Sequence, residues 1–371
     1  VDASTHEGNG SLEGLLSPRR DPSSPTPFGR IYSPDPGWLA KSVVEPILEP
    51  EREIIDAHHH LWDMPGFRYL LSDFLEDVGT GHKVIGTVFA ECHAMYRASG
   101  PAEMKPIGEV EFAAGIAAMS ESGIYGSTRI NAGIVGFADL ALGDRVTPVL
   151  EALIVAGGGR FRGVRCQAGW DPSAEIVNSP GRDAPGFYLQ PSFQAGVRRL
   201  AAHGLSFDAW LFHPQLSDVV SLARACPETH IVLCHLGGPL CYGPYLRSGR
   251  EIFAQWKARM AELAQCENIS VKLGGIMNRG ATFDYGASEA PLHSQSLAAR
   301  WSPWFMSCVE LFGPLRCMVE SNFPVDKMGV GYRTLWNGFK RALGELSEDE
   351  KEAVFSGNAM RIYRLGPFET S

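Results

Sequence analysis

The chain has 371 residues, enough for two small domains or one large single-core fold, and its 44% hydrophobic, 20% charged and 10% aromatic composition excludes a wholly disordered, collagenous or coiled-coil protein. With 33 Lys+Arg against 42 Asp+Glu the net charge is -9, and no basic block breaks the sequence, so no nucleic-acid partner is expected. No run reaches the ~18 apolar residues of a membrane span, and the 8 scattered cysteines, free of CxxC pairs, read as reduced thiols of a cytoplasmic protein.

Residues 1–50 stand apart as an extended N-terminal arm. Pro18, Pro22, Pro25, Pro27, Pro34, Pro36, Pro46 and Pro50, among many Ser and Gly, break both helix and strand periodicity. Phe28, Ile31, Tyr32, Trp38, Leu39, Val43 and Val44 give the arm an apolar side, so its second half is expected to pack as a strap on this domain or to join a homo-oligomer.

From Glu53 onward, short β-branched runs alternate with longer helical stretches, the pattern of βα units and a parallel sheet. The strands expected in chain order are Ile54–His58, Val84–Glu91, Ile130–Gly136, Phe161–Cys166, Leu205–Leu211, Ile231–His235, Ile269–Leu273 and Arg316–Glu320. Helices are expected at Val110–Ser122, Pro148–Ala156, Gln190–His203, Gln215–Arg224, Glu251–Ala264, Gln295–Phe312 and Arg333–Leu346. Residues 51–371 then make one catalytic domain, a distorted (β/α)8 TIM-type barrel of the α/β class. An open doubly wound sheet competes, but no GxGxxG follows the first strand.

A barrel does its chemistry at the C-terminal ends of its strands, and these ends are polar. The first exits through His58-His59-His60, where period-two alternation puts His58 and His60 on one face and His59 on the other. Two imidazoles so placed suit one metal ion or the polarisation of one carbonyl. The second strand ends at Glu91-Cys92-His93, the fourth at Arg165, the fifth at His213, the sixth at His235; the seventh carries Lys272 and the eighth Glu320 and Asn322. Taken singly, a strand histidine is as often a hydrogen-bonded core group, and Lys272 suits half of a buried ion pair. Converging on one mouth, they suit an anionic or electrophilic oxygen substrate. Asp208, deeper in its strand, reads as a structural partner.

The segments IIDAHHHLWD, VFAECHAMYR, FRGVRC, LFHPQL, CHLGGP, ISVKLGG, ESNFPVD and SGNAMRIYRL, in this order between about Pro36 and Leu365, resemble the amidohydrolase-2 branch of the amidohydrolase superfamily, especially its lactonase-like members. The resemblance implies a barrel with His58 and His60 at the site, Arg165 on the substrate, His213 as ligand or substrate contact, and a closing helix bearing Asn358. Where that family has an aspartate after the eighth strand this chain has Asn322, and an amide cannot take a proton from water at neutral pH. Glu91, Glu320 or Asp326 stands in as the base, or hydrolysis has been lost.

The expectation is therefore hydrolysis of a small ester-type carbonyl substrate, most simply a carboxylate-bearing lactone. His58, His60 and His213 hold one divalent, zinc-like ion or polarise the carbonyl directly. Glu91 or Glu320 takes the proton, His235 serves the leaving oxygen, and Arg165, Lys272, Tyr96 and Arg97 bind substrate. Decarboxylation or hydration at the same mouth is the rival within the superfamily, and a non-catalytic barrel the rival outside catalysis. Substrate choice is expected to reside in the loops Ala98–Glu109, Asp171–Gly186 and Cys241–Arg250.

Overall fold

The computed structural model describes residues 31, 33–64, 67–246, 248–277 and 288–368. Its central sheet has 8 parallel strands, each beside its successor along the chain. They are β1 (Ile54–His59), β4 (Val84–Ala90), β5 (Arg129–Gly136), β6 (Phe161–Gln167), β7 (Ser206–Trp210), β8 (Ile231–Leu233), β9 (Ile269–Leu273) and β10 (Cys317–Val319). A short antiparallel pair, β2 (Trp62–Met64) and β3 (Phe67–Tyr69), lies between β1 and β4 in the chain. The residues after β10 close the barrel onto β1: the Asn322 amide donates to His58 O at 2.8 Å and the His60 amide to Phe323 O at 2.7 Å.

Each expected strand and helix has its counterpart, with ends displaced by a few residues. The seven expected helices run Ile107–Glu121, Thr147–Ala156, Pro191–Ala202, Leu216–Ala225, Gly249–Ala264, Ser294–Phe312 and Tyr332–Ala342. Their inner faces follow i, i+3, i+4 spacing, as with Ile107, Val110, Ala113, Ile116 and Ala117, which are all buried. The sequence reading did not include the helix Leu71–Val78, whose buried Leu71, Phe74 and Val78 repeat the same spacing.

Two large apolar bodies result, besides a small third cluster of Ile176, Trp210, Phe212, Cys234, Leu240 and Tyr242. The larger fills the layer between strands and helices. The smaller joins Ile55, Ala57, Val88, Val135, Val232 and Met318 to Ile362, Tyr363 and Leu365 of the C-terminal segment. The pairing of β1 with β4 slips between Asp56 and His59. A slip of this kind re-aims side chains, so Ile55 and Ala57 join the apolar cluster while His58 and His60 turn to the mouth.

Of the arm, residues 1–30 and Tyr32 lie outside the described residues, Phe28 among them. The second half of the arm straps the barrel's outer wall. Trp38 is buried and its indole N–H donates to Ser288 O at 3.0 Å. Asn337 accepts from Leu48 N at 3.0 Å and donates to Pro46 O at 2.9 Å. Among the described residues no helix is long and apolar enough to cross a membrane.

Candidate active site

The carboxylate of Glu320, the first residue beyond β10, organises the site. Its Oε1 accepts from both the backbone N–H and the ring Nδ1 of His235, at 2.9 and 2.7 Å. Its Oε2 lies 3.2 Å from His58 Nδ1. The glycines after β9 make room for this clamp: a Cβ on Gly274 would sit 2.4 Å from Glu320 Cγ, and one on Gly275, at φ +65°, 2.2 Å from His235 Nδ1. His235 itself is left-handed, at φ 53°, a strained conformation for a side chain of this kind and held here by its two bonds to Glu320.

Hydrogen-bond partners decide which ring nitrogens carry protons. Ala90 O, 2.8 Å from His60 Nδ1, can only accept, so neutral His60 keeps its lone pair on Nε2. A carboxylate likewise takes the proton of His235 Nδ1 and leaves that ring's lone pair on Nε2. His58 has two choices, because its Nδ1 lies 3.2 Å from Glu320 Oε2 and 3.3 Å from the Lys272 ammonium. If Nδ1 donates to Glu320, the lone pairs of His58 Nε2 and His60 Nε2 face each other at 3.1 Å. If Nδ1 accepts from Lys272, His58 Nε2 donates to His60 and Glu320 Oε2, fully buried, has no donor. Either way the cluster holds one more acceptor than it has protons.

Burial keeps these rings neutral. Burial pushes His58 well below the usual histidine range, with Lys272, His235, His60 and Arg165 adding to it. His60 falls for the same reason, burial first and then Arg165. Burial also lowers His235, against the pull of Glu320. Neutral imidazoles with free lone pairs are metal ligands or proton acceptors.

A second group lies beside the first. Arg165 donates through Nη1 to Glu91 Oε1 at 2.9 Å and to Glu91 O at 3.1 Å, and Gln167 Nε2 adds a bond to the same carboxylate oxygen at 3.2 Å. Burial works against the Arg165 charge, and Glu91 more than restores it. Arg165 Nε is buried without an acceptor, and Glu91 Oε2 is buried with no hydrogen bond, 3.5 Å from His93 Nε2. Lys272 pairs with Asp208 at 2.8 Å, and the Tyr363 hydroxyl donates to the same carboxylate oxygen at 2.7 Å. Asp208 is thus the structural partner that the sequence suggested, and Lys272 spends its charge on it as well as on His58.

His59 points the other way, as alternation requires. Its ring stacks on Phe74 at 4.1 Å and its Nε2 meets Thr87 Oγ1 at 2.9 Å. Four expected residues, His213, Arg97, Asn322 and Asp326, direct their side chains elsewhere. His213, in the turn beyond β7, accepts from Leu240 N at 3.1 Å and meets the edge of Tyr245, so it braces the loop after β8. The group of described residues that could hold an ion is His58, His235 and Glu320, without His213. Arg97 makes an exposed ion pair with Glu111. Asn322, at φ 54°, a conformation that asparagine tolerates, turns its amide to Asp326 Oδ1 at 2.8 Å. Asp326 is fully committed as well, since its Oδ2 accepts from Met277 N at 3.0 Å; burial pushes it well above the carboxylate range. Tyr96 stacks on His93 at 5.6 Å with its hydroxyl buried and unpartnered, beside Glu91 and Glu109.

Sequence reasoning missed Glu109, Gln167 and Tyr363. Glu109 is a buried carboxylate whose Oε1 holds the Cys92 and Ala94 amides at 2.9 and 2.8 Å, fixing the loop that bears Glu91 and Tyr96. Burial and Glu91 push it up to about 8. Gln167 was within reach: it stands two residues beyond Arg165 on one strand face.

The sequence profile described as amidohydrolase matches residues 55–365. The chain belongs to the amidohydrolase family. L-fucono-1,5-lactonase of Burkholderia multivorans is 26% identical over 84% of this chain and 96% of its own length. A Sinorhizobium fredii protein, y4mH, is 29% identical over 84% of this chain and 98% of its own. A zinc-bound amidohydrolase structure from Burkholderia multivorans superposes with a TM-score of 0.63 at 24% identity, covering 84% of this chain and 99% of that one, a likeness of fold. An amidohydrolase is a hydrolytic enzyme, and the polar mouth is where this barrel places its chemistry.

Proposed function

We propose that this amidohydrolase opens a lactone at the mouth of its barrel. The observation that carries the reading is the Glu320 clamp: one buried carboxylate orients two neutral histidines, beside a buried arginine with an unused Nε. The fucono-lactonase relative supports the lactone class.

The donor set fits a zinc-type ion: His58 and His60 present facing Nε2 lone pairs that no proton in the cluster satisfies when His58 Nδ1 donates to Glu320 Oε2. When bound, such an ion would polarise the lactone carbonyl and activate water. His58 and His60 would hold it; His235 and Glu320, which with His58 form the other group able to hold an ion, are bonded to each other and remain as a dyad. His235 Nε2 takes the proton of the attacking water, with Glu320 stabilising the imidazolium, and returns it to the ring oxygen as the ester bond breaks. Arg165 Nε steadies the carbonyl oxygen as it gains charge or grips a substrate carboxylate. Glu91, already shared by Arg165 and Gln167, positions that guanidinium.

The test is a panel of sugar-acid and carboxylated lactones with the purified protein, read by acid release, with metal content measured alongside. Ring opening that falls on chelation and returns with zinc is expected. Loss of CO₂ from an aromatic acid with no lactone opened would transfer the site to decarboxylation.

A further inference from the structure

At the opposite end of the barrel, where β5 and β6 begin, lies a cavity of about 350 Å³. Arg129, Arg160 and Arg162 line it with Gly158 and Gly159, against an apolar wall of Ile130, Ala132 and Phe368. Its one acid, Glu121, is taken by Arg160 in an ion pair. Among the described residues Arg129, Arg162 and the neighbouring Arg364 meet no carboxylate at all. Arg162 gives one Nη1 hydrogen to Phe161 O at 3.1 Å, and its Nε is buried with no acceptor. Burial, Arg364 and Arg160 together press on its charge. In a chain of net charge -9, so concentrated an excess of positive charge is not a general surface property.

A buried guanidinium N–H without an acceptor costs about 1–3 kcal/mol or more, and crowded like charges add to that cost. One anion would relieve both. Guanidinium forks match tetrahedral phosphate oxygens in pairs, and more than one guanidinium lines this cavity. The apolar wall can cover a small organic body attached to the anion. With seven or so residues of strand between, the cavity is on the order of 20 Å from the mouth.

We propose that this basal cavity binds a phosphate group, held by Arg129 and Arg162 with Arg160 and Arg364 adding field, as a second site separate from the catalytic mouth. The experiment is calorimetric titration of the full chain with inorganic phosphate and with phenyl phosphate at constant ionic strength. One saturable site per chain is expected, weakened about tenfold or more by Arg162→Gln and by Arg129→Gln, in line with charge-assisted bonds. Arg165→Gln, at the mouth, leaves it intact. Tighter binding of phenyl phosphate assigns the site to an organic phosphate; equal binding assigns it to the free ion. If Arg162→Gln fails to fold, Arg129→Gln, at the very start of its strand, decides alone. Absence of a saturable site, binding indifferent to both variants, or binding lost only in Arg165→Gln overturns the proposal.

Discussion

The strap and the mouth are both rich in buried polar groups, and they use them in opposite ways. Against the strap, Lys340 directs its ammonium to Leu48 O and Glu49 O, each at 2.8 Å, and to His82 Nδ1 at 3.1 Å, so its three hydrogens all have acceptors. Asn337 uses both ends of its amide, and Glu45 accepts from the Ser294 amide and hydroxyl. At the mouth, Arg165 Nε is as deeply buried and has no acceptor, and Glu91 Oε2 and Glu320 Oε2 make no hydrogen bond, meeting only His93 Nε2 at 3.5 Å and His58 Nδ1 at 3.2 Å. A folded chain keeps few polar groups in that state, since each costs about 1–3 kcal/mol unless something outside the chain completes it. Single orphan atoms occur in the scaffold too, Ser42 Oγ in the strap and His59 Nδ1 among them, but at the mouth three charged ones gather, which marks where substrate, water or an ion belongs.

The sharpest way to break this contrast is within one tripeptide. His58→Ala and His60→Ala should each abolish lactone turnover, because each removes one of the facing Nε2 atoms. His59→Ala should keep turnover and lower the melting temperature instead, since His59 only packs on Phe74 and bonds Thr87. Equal kinetic losses at all three positions would refute the division of faces.

Next in size is the dyad. Glu320→Gln should lower kcat by ~10² to 10⁴-fold, the range of general acid–base catalysis, because an amide neither fixes the His235 tautomer nor stabilises its cation. Glu91→Gln should cost about tenfold, as its carbonyl still accepts from Arg165 while the charge of the pair is lost. The reverse ranking would give the role of base to Glu91, the other of the two carboxylates that the sequence left open. The Asn322→Asp variant should gain no activity and lose about 3 kcal/mol or more of stability in denaturant titration. It would set a second carboxylate against buried Asp326, where the amide now donates. A large gain in turnover would mean that Asn322 marks a decayed site.

The barrel was legible because apolar runs with turn signals repeat along the chain, and the mouth was legible because strand ends are fixed points of that repeat. That His58 and His60 share a face and His59 takes the other follows from alternation, but that the shared face is the mouth depends on the slip between Asp56 and His59. What alternation cannot show is how far a turn carries a side chain. His213 lies three residues beyond the end of β7, and the helical turn there swings it to Leu240 and Tyr245. Arg97 likewise sits on a loop, where Glu111 captures it. The clamp was hidden for another reason: Glu320 and His235 are 85 residues apart, and only the small Gly274 and Gly275 between their strands permit the contact.

His213 supplies the smallest and most specific test of scaffold against site. Its Nδ1 accepts from Leu240 N, which requires a neutral ring, and burial lowers it to about 4 despite the pull of Asp171. An unfolded histidine titrates near ~6.5, so between those values the unfolded chain takes up a proton that the folded chain refuses. Stability contributed by His213 is therefore complete above about pH 6.5 and declines as pH falls toward 4. Near pH 5 the loss from this one group is at most about 2 kcal/mol, at 1.36 kcal/mol per pKa unit. His213→Gln, which keeps an acceptor but cannot titrate, should flatten that part of the curve of unfolding free energy against pH and leave any metal content of the purified protein unchanged. A variant that loses metal while its acid sensitivity stays the same would return His213 to the ligand set.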